Sequence, residues 1–192
     1  MRTISATYQD PLDLIWTHAA SSLGITIERS ADVFASWNGA GILRVGTPET
    51  LDPDDSLAQM ILHELCHLLV EGPEAIDLPD WGLENDPSKV VHEHAALRLQ
   101  AALADTAGLR EFFAATTVFR KYYDQLPQTP LKFDGDPAVE LALVAWQRAR
   151  SAPWVAPLDR ALCMTAEIAR LLQNVAPPDS IWSRIAQGSR DF

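Results

Sequence analysis

The chain has 192 residues, 47% of them apolar, with a formal net charge of −11 and an isoelectric point near 4.7. That apolar share argues against intrinsic disorder, and that charge argues against nucleic acid and anionic membranes as partners. Two cysteines, Cys66 and Cys163, make no disulfide framework, and both read as small buried apolar residues. Met1 to Asp10 shows no basic-then-apolar leader, and nothing approaches the ~20 apolar residues of a membrane span. The expectation is a soluble, cytoplasmic protein.

In chain order, Pro11–Leu23 reads as a helix, with Leu12, Ile15, Trp16 and Ala19 at helical spacing and Gly24 as its stop. Short strands are expected over Ile25–Ile27, Val33–Trp37 and Ile42–Val45, with Asn38-Gly39-Ala40-Gly41 as a hairpin turn, which gives a small antiparallel sheet. Asp52, Pro53, Asp54 and Asp55 form a cap, proline and acidic first turn, so a second helix is predicted from about Pro53 to Glu71, closed by Gly72-Pro73. Residues 73–87 read as a loop. Helices are predicted over Pro87–Thr106, Leu109–Tyr123, Pro137–Ala152 and Pro157–Val175, with a short one over Ser180–Ala186. The proline-rich stretch Leu126–Pro137 is the best internal seam.

The chemistry is concentrated in His63-Glu64-Leu65-Cys66-His67. Residues i and i+4 share one helix face, so both imidazoles can address one metal ion, with Glu64 on the neighbouring stripe. From Ile61 to Val70 the helix is apolar apart from His63, Glu64 and His67, and buried polar groups of this kind need partners. A catalytic zinc site takes three protein ligands and leaves one position open. Four of the five histidines lie between residues 63 and 94, and the downstream cluster is His92-Glu93-His94. Glu93 shares its stripe with Val90, Ala96 and Leu97, which favours it as third ligand; His92 and His94 are the alternatives, with Glu84 behind them. His92, His94, Tyr122 and Tyr123 are the candidates to stabilise an oxyanion. Trp81 is placed to line the cleft, and the strand Ile42–Val45 is placed to pair with an extended peptide.

With those residues in view, the sequence resembles the ImmA/IrrE family of bacterial metallopeptidases over roughly Leu12 to Leu103. The shared order is a first helix, a hairpin ending near Ile42-Leu43-Arg44-Val45, the His63–His67 helix, and a helix with Glu93-His94-Ala95-Ala96. The resemblance implies His63, His67 and Glu93 as zinc ligands and Glu64 as catalytic base. It also implies a regulatory protease acting on a protein. The chain departs from the family at Cys66, where members often carry Gly, and it has no recognisable helix-turn-helix segment.

The expected fold class is therefore α+β: a mostly helical zincin-like fold with a small antiparallel sheet before the active-site helix and a helical C-terminal part. Residues 1–192 read as one metallopeptidase-like domain, with 1–107 as catalytic core and 108–192 as helical extension. The expected function is zinc-dependent hydrolysis of a peptide bond in a protein or peptide substrate. The alternatives are a non-peptidase metalloenzyme and a metal-binding regulatory module without catalysis. A di-iron bundle site is disfavoured, because no second Glu-x-x-His occurs.

Overall fold

A computed structural model describes residues 5–83 and 89–185. The fold is α+β, with six α-helices and one three-stranded sheet among the described residues. Helix α1 spans Pro11–Ser22; Asp10 caps it by accepting from the N–H groups of Leu12 and Asp13. Strands β1 (Thr26–Ser30), β2 (Ala35–Trp37) and β3 (Ile42–Gly46) follow. Helices α2 (Leu57–Glu71), α3 (Val90–Asp105), α4 (Arg120–Asp124), α5 (Ala138–Ala149) and α6 (Val155–Leu172) complete the chain, with short 3₁₀ turns at Pro73–Ala75, Pro79–Gly82 and Ile181–Arg184.

The sheet is mixed, which corrects the antiparallel expectation. Strands β2 and β3 do form a hairpin, and its turn is built by Asn38, whose Oδ1 accepts from Ala40 and Ile42 N–H at 2.7 and 3.0 Å. Strand β1, however, runs parallel to β3, from Thr26 opposite Ile42 to Ser30 opposite Gly46. The spatial order is β1-β3-β2. Strand β3 is therefore central and has no free edge for a peptide. Edge patterning is invisible to a reading that pairs only neighbours in sequence.

Helix α2 starts later than its acidic run suggests. Asp55 accepts from Asp52 N–H at 3.0 Å and from the Thr116 hydroxyl, which closes 52–55 into a turn. Ser56 then caps the helix by accepting from Gln59 N–H at 3.2 Å. Helix α2 is buried along most of its length and packs against α1, α3 and α5. Helix α5 contributes Ala138, Ala142, Ala145 and Ala149 to the same core, small residues that allow close helix approach. The 126–137 stretch is tied to α3. Arg98 on α3, 3% exposed, donates to the Pro130 carbonyl, to Asp134 and to Asp136.

The helix predicted over Leu109–Tyr123 is reduced to α4. Gly108 at φ +68° turns the chain, Leu109 N–H returns to Ala104 O, and Phe112 and Phe113 bury in the core through turns. Cys66 is buried as expected, but Cys163 is exposed, on the outer side of α6. Among the described residues no helix is long and apolar enough to cross a membrane. Residues Glu84 and Pro87, a candidate ligand and a predicted helix start, lie outside the described residues.

Candidate metal centre

One turn of α2 separates His63 from His67, and the packing of α3 across α2 brings Glu93 to both. The two imidazoles face each other through Nε2 at 3.0 Å, with ring planes at 85°. The Glu93 carboxylate closes the triangle: Oε1 lies 3.6 Å from His63 Nε2, and Oε2 lies 3.2 Å from His67 Nε2. Two nitrogens each ~2.0–2.1 Å from a tetrahedral zinc stand roughly 3.3 Å apart, so this spacing suits one ion. The three side chains can hold a metal ion.

The protonation pattern fits that role. Gln100 on α3 donates from Nε2 to the Phe113 carbonyl at 2.6 Å, which fixes its amide and turns Oε1 toward His63. His63 Nδ1, 2.9 Å away, must then donate, and its Nε2 keeps a lone pair for the shared point. Burial opposes a charge on His67, but the hydrogen bond and charge of Glu93, with Glu64 and Glu71, hold its pKa above the ordinary imidazole value. Burial pushes Glu93 upward as well, yet His67 and His63 bring its carboxyl down to about 2. A proton on His67 Nε2 faces the His63 Nε2 lone pair at 3.0 Å and Glu93 Oε2 at 3.2 Å, both acceptors, at the point where the three groups converge.

A cavity of about 260 Å³ opens over these groups. His63, Glu64, His67 and Glu93 form its polar floor, and Phe34, Ala35, Met60, Ala114 and Ala115 contribute apolar walls. Glu64 thus shares one cavity with the three metal-capable groups. Its Oε2 accepts from Trp81 Nε1 at 2.9 Å. Trp81 does not line the cavity; it is buried behind Glu64.

His92 and His94 project elsewhere. His92 Nδ1 pairs with Glu71 Oε1 at 2.6 Å. The His94 ring stacks on Tyr122 at 3.6 Å, and Tyr122 OH donates to Asp136 Oδ2 at 2.9 Å. Tyr123 OH donates to the Arg110 carbonyl at 3.0 Å. Among the described residues, the only tyrosine or histidine rings on the cavity wall are His63 and His67.

Neither a family model, nor a curated protein, nor a solved structure matches this chain. The site therefore rests on its own geometry. Sequence reading missed Gln100, although a signal was present: it lies two turns beyond Glu93 on a stripe otherwise made of Leu97 and other buried residues.

Proposed function

We propose that this chain is a zinc-dependent peptidase of ImmA/IrrE-like, zincin type, working in the cytoplasm on a flexible segment of a protein. The observation that carries the reading is the convergence of His63 Nε2, His67 Nε2 and the Glu93 carboxylate on one point, with Glu64 lining the same cavity. Two imidazoles and one carboxylate are a donor set that suits zinc, and catalytic zinc sites are built from three such ligands. What zinc supplies when bound is Lewis acidity, which acidifies a coordinated water toward a pKa of ~7 and polarises a carbonyl oxygen.

The chain's own residues do the rest. Glu64 accepts the proton of the attacking water and passes it to the departing amine nitrogen. Gln100 holds the His63 tautomer, as hydrogen-bonded partners of ligating histidines do. Phe34, Met60, Ala114 and Ala115 suit an apolar side chain next to the scissile bond.

The peptide-binding edge moves from β3 to β2. Phe34 O accepts from Gly46 N–H and Asn38 N–H donates to Ile42 O, so residues 34, 36 and 38 turn their backbone toward β3. Residues 35 and 37 turn theirs outward, and Trp37 N–H is taken by Asp80 Oδ1 at 2.9 Å. Ala35, on the cavity wall, is left to pair with an extended substrate.

The test uses purified, zinc-loaded chain on a library of unstructured peptides. Wild type should cleave, and Glu64→Gln should retain zinc and lose cleavage by at least ~10²-fold, the lower end of what a positioned base supplies. A metal-free protein, or full activity in Glu64→Gln, contradicts the reading.

A further inference from the structure

The geometry points to Trp81 as a positioning residue for Glu64: its indole N–H holds one carboxylate oxygen and leaves the other for the metal cavity. This inference rests on the peptidase reading above. An indole can only donate, and it has a single N–H, so it fixes a carboxylate without competing for the proton that the carboxylate must take. The contact is 2.9 Å, from Trp81 Nε1 to Glu64 Oε2.

The loop that delivers this N–H is built at a conformational cost. Asp80 and Trp81 are consecutive non-glycine residues at φ +46° and +58°, the left-handed region that a bulky side chain avoids. They are the only non-glycine residues with positive φ among the described ones. Three contacts hold them there. The Trp81 ring stacks on Trp37 with centroids 4.4 Å apart and planes at 12°. Asp80 Oδ1 accepts from Trp37 N–H. Trp37 Nε1 donates to the Ile76 carbonyl at 2.8 Å, which ties the sheet to the loop. The other two buried indoles whose N–H partners are described donate to neutral acceptors, Trp37 to the Ile76 carbonyl and Trp16 to the Thr165 hydroxyl. Trp81 instead spends its N–H on the one carboxylate that the reaction uses as base.

Two measurements on the full chain decide the matter. In ¹⁵N-labelled protein, the Trp81 indole resonance is identified by its absence in Trp81→Phe. It should shift and lose its protection from exchange in Glu64→Ala. The same shift in wild type and Glu64→Ala overturns the inference, whatever the chain's activity. In the zinc-loaded protein, Trp81→Phe keeps a ring in the stack, removes the donor and leaves a small cavity, so its melting temperature should fall somewhat. Its kcat, measured where the variant is fully folded, should fall about tenfold or more, a part of the ~10²–10⁴ that a positioned general base contributes, with KM and zinc content unchanged. An unchanged kcat overturns the inference, and so does a fall that loss of zinc or of folded protein fully accounts for. A wild-type chain that holds zinc and cleaves nothing refutes the peptidase reading instead, and the catalytic part of this inference with it.

Discussion

Gln100 Oε1 stands 2.9 Å from His63 Nδ1, and the Gln100 amide is itself fixed by the Phe113 carbonyl. This places a backbone carbonyl of the 109–117 turns in control of a ring nitrogen on α2. That carbonyl lies outside any helix.

Replacing Gln100 by Leu removes that control. Metal affinity should weaken ~10–100-fold, the usual effect of losing a partner of a ligating histidine. Stability should fall by about 1–3 kcal/mol, because the buried Phe113 carbonyl loses its donor. Competition against a chelator and thermal unfolding of the metal-free protein measure the two effects separately.

The pairing of His67 with Glu93 gives the chelator-treated protein a characteristic pH dependence. Glu93 is depressed to about 2 from 4.5, so its contribution to stability is present above pH 4.5 and is lost on acidification toward 2. His67 is raised above 6.5, so its contribution is present below 6.5 and is lost as pH rises through the folded value. The stability difference between wild type and Glu93→Gln should therefore peak between about pH 4.5 and 6.5 and shrink on either side. Metal uptake should release a proton from His67, so apparent affinity should fall as the solution is acidified. Urea titrations across pH and proton release on zinc addition check both outcomes.

Much of the site could be read from spacing. His63 and His67 repeat at four residues, and Glu93 stands out as an acid on an apolar stripe, because helix geometry is local. What could not be read depends on chain crossings. The parallel pairing of β1 with β3, and with it the demotion of β3 from edge to centre, has no sequence-local signal. The Trp81–Glu64 contact spans a loop in an uncommon conformation. Asp52 and Pro53 carry a cap-and-proline signature, yet Asp55 is drawn to Thr116, 61 residues away, and Ser56 takes the cap. Cys163 fell on the outer face of a helix whose register the sequence left open.

Arg98 joins α3 to the chain around Pro130. It donates to Tyr122 OH, Pro130 O and Asp134 at 2.7 Å each and to Asp136 at 3.2 Å. Arg98→Met should destabilise by about 2 kcal/mol, below the 3–5 typical of a broken buried pair because both aspartates are partly solvated. The melting temperature should drop by roughly 4–8 °C, at ~2–4 °C per kcal/mol for a chain of this size. Metal binding should survive, since Arg98 touches none of the three side chains that can hold an ion. Calorimetry and metal content check it.

The two thiols should behave oppositely. Burial pushes the Cys66 thiol well up, and Glu64 adds to the effect, whereas Cys163 is exposed. A thiol reagent near neutral pH should modify one cysteine of the folded chain quickly and the second only after denaturation. Mass spectrometry of digested protein should assign the fast site to Cys163.

The measurement closest to the central claim is an anomalous-scattering map recorded at the zinc edge from crystals of the zinc-loaded chain. The account predicts one strong peak, bounded by His63, His67 and Glu93 and beside Glu64. No peak there, or zinc held by other residues while His63 and His67 keep only protein partners, would contradict it.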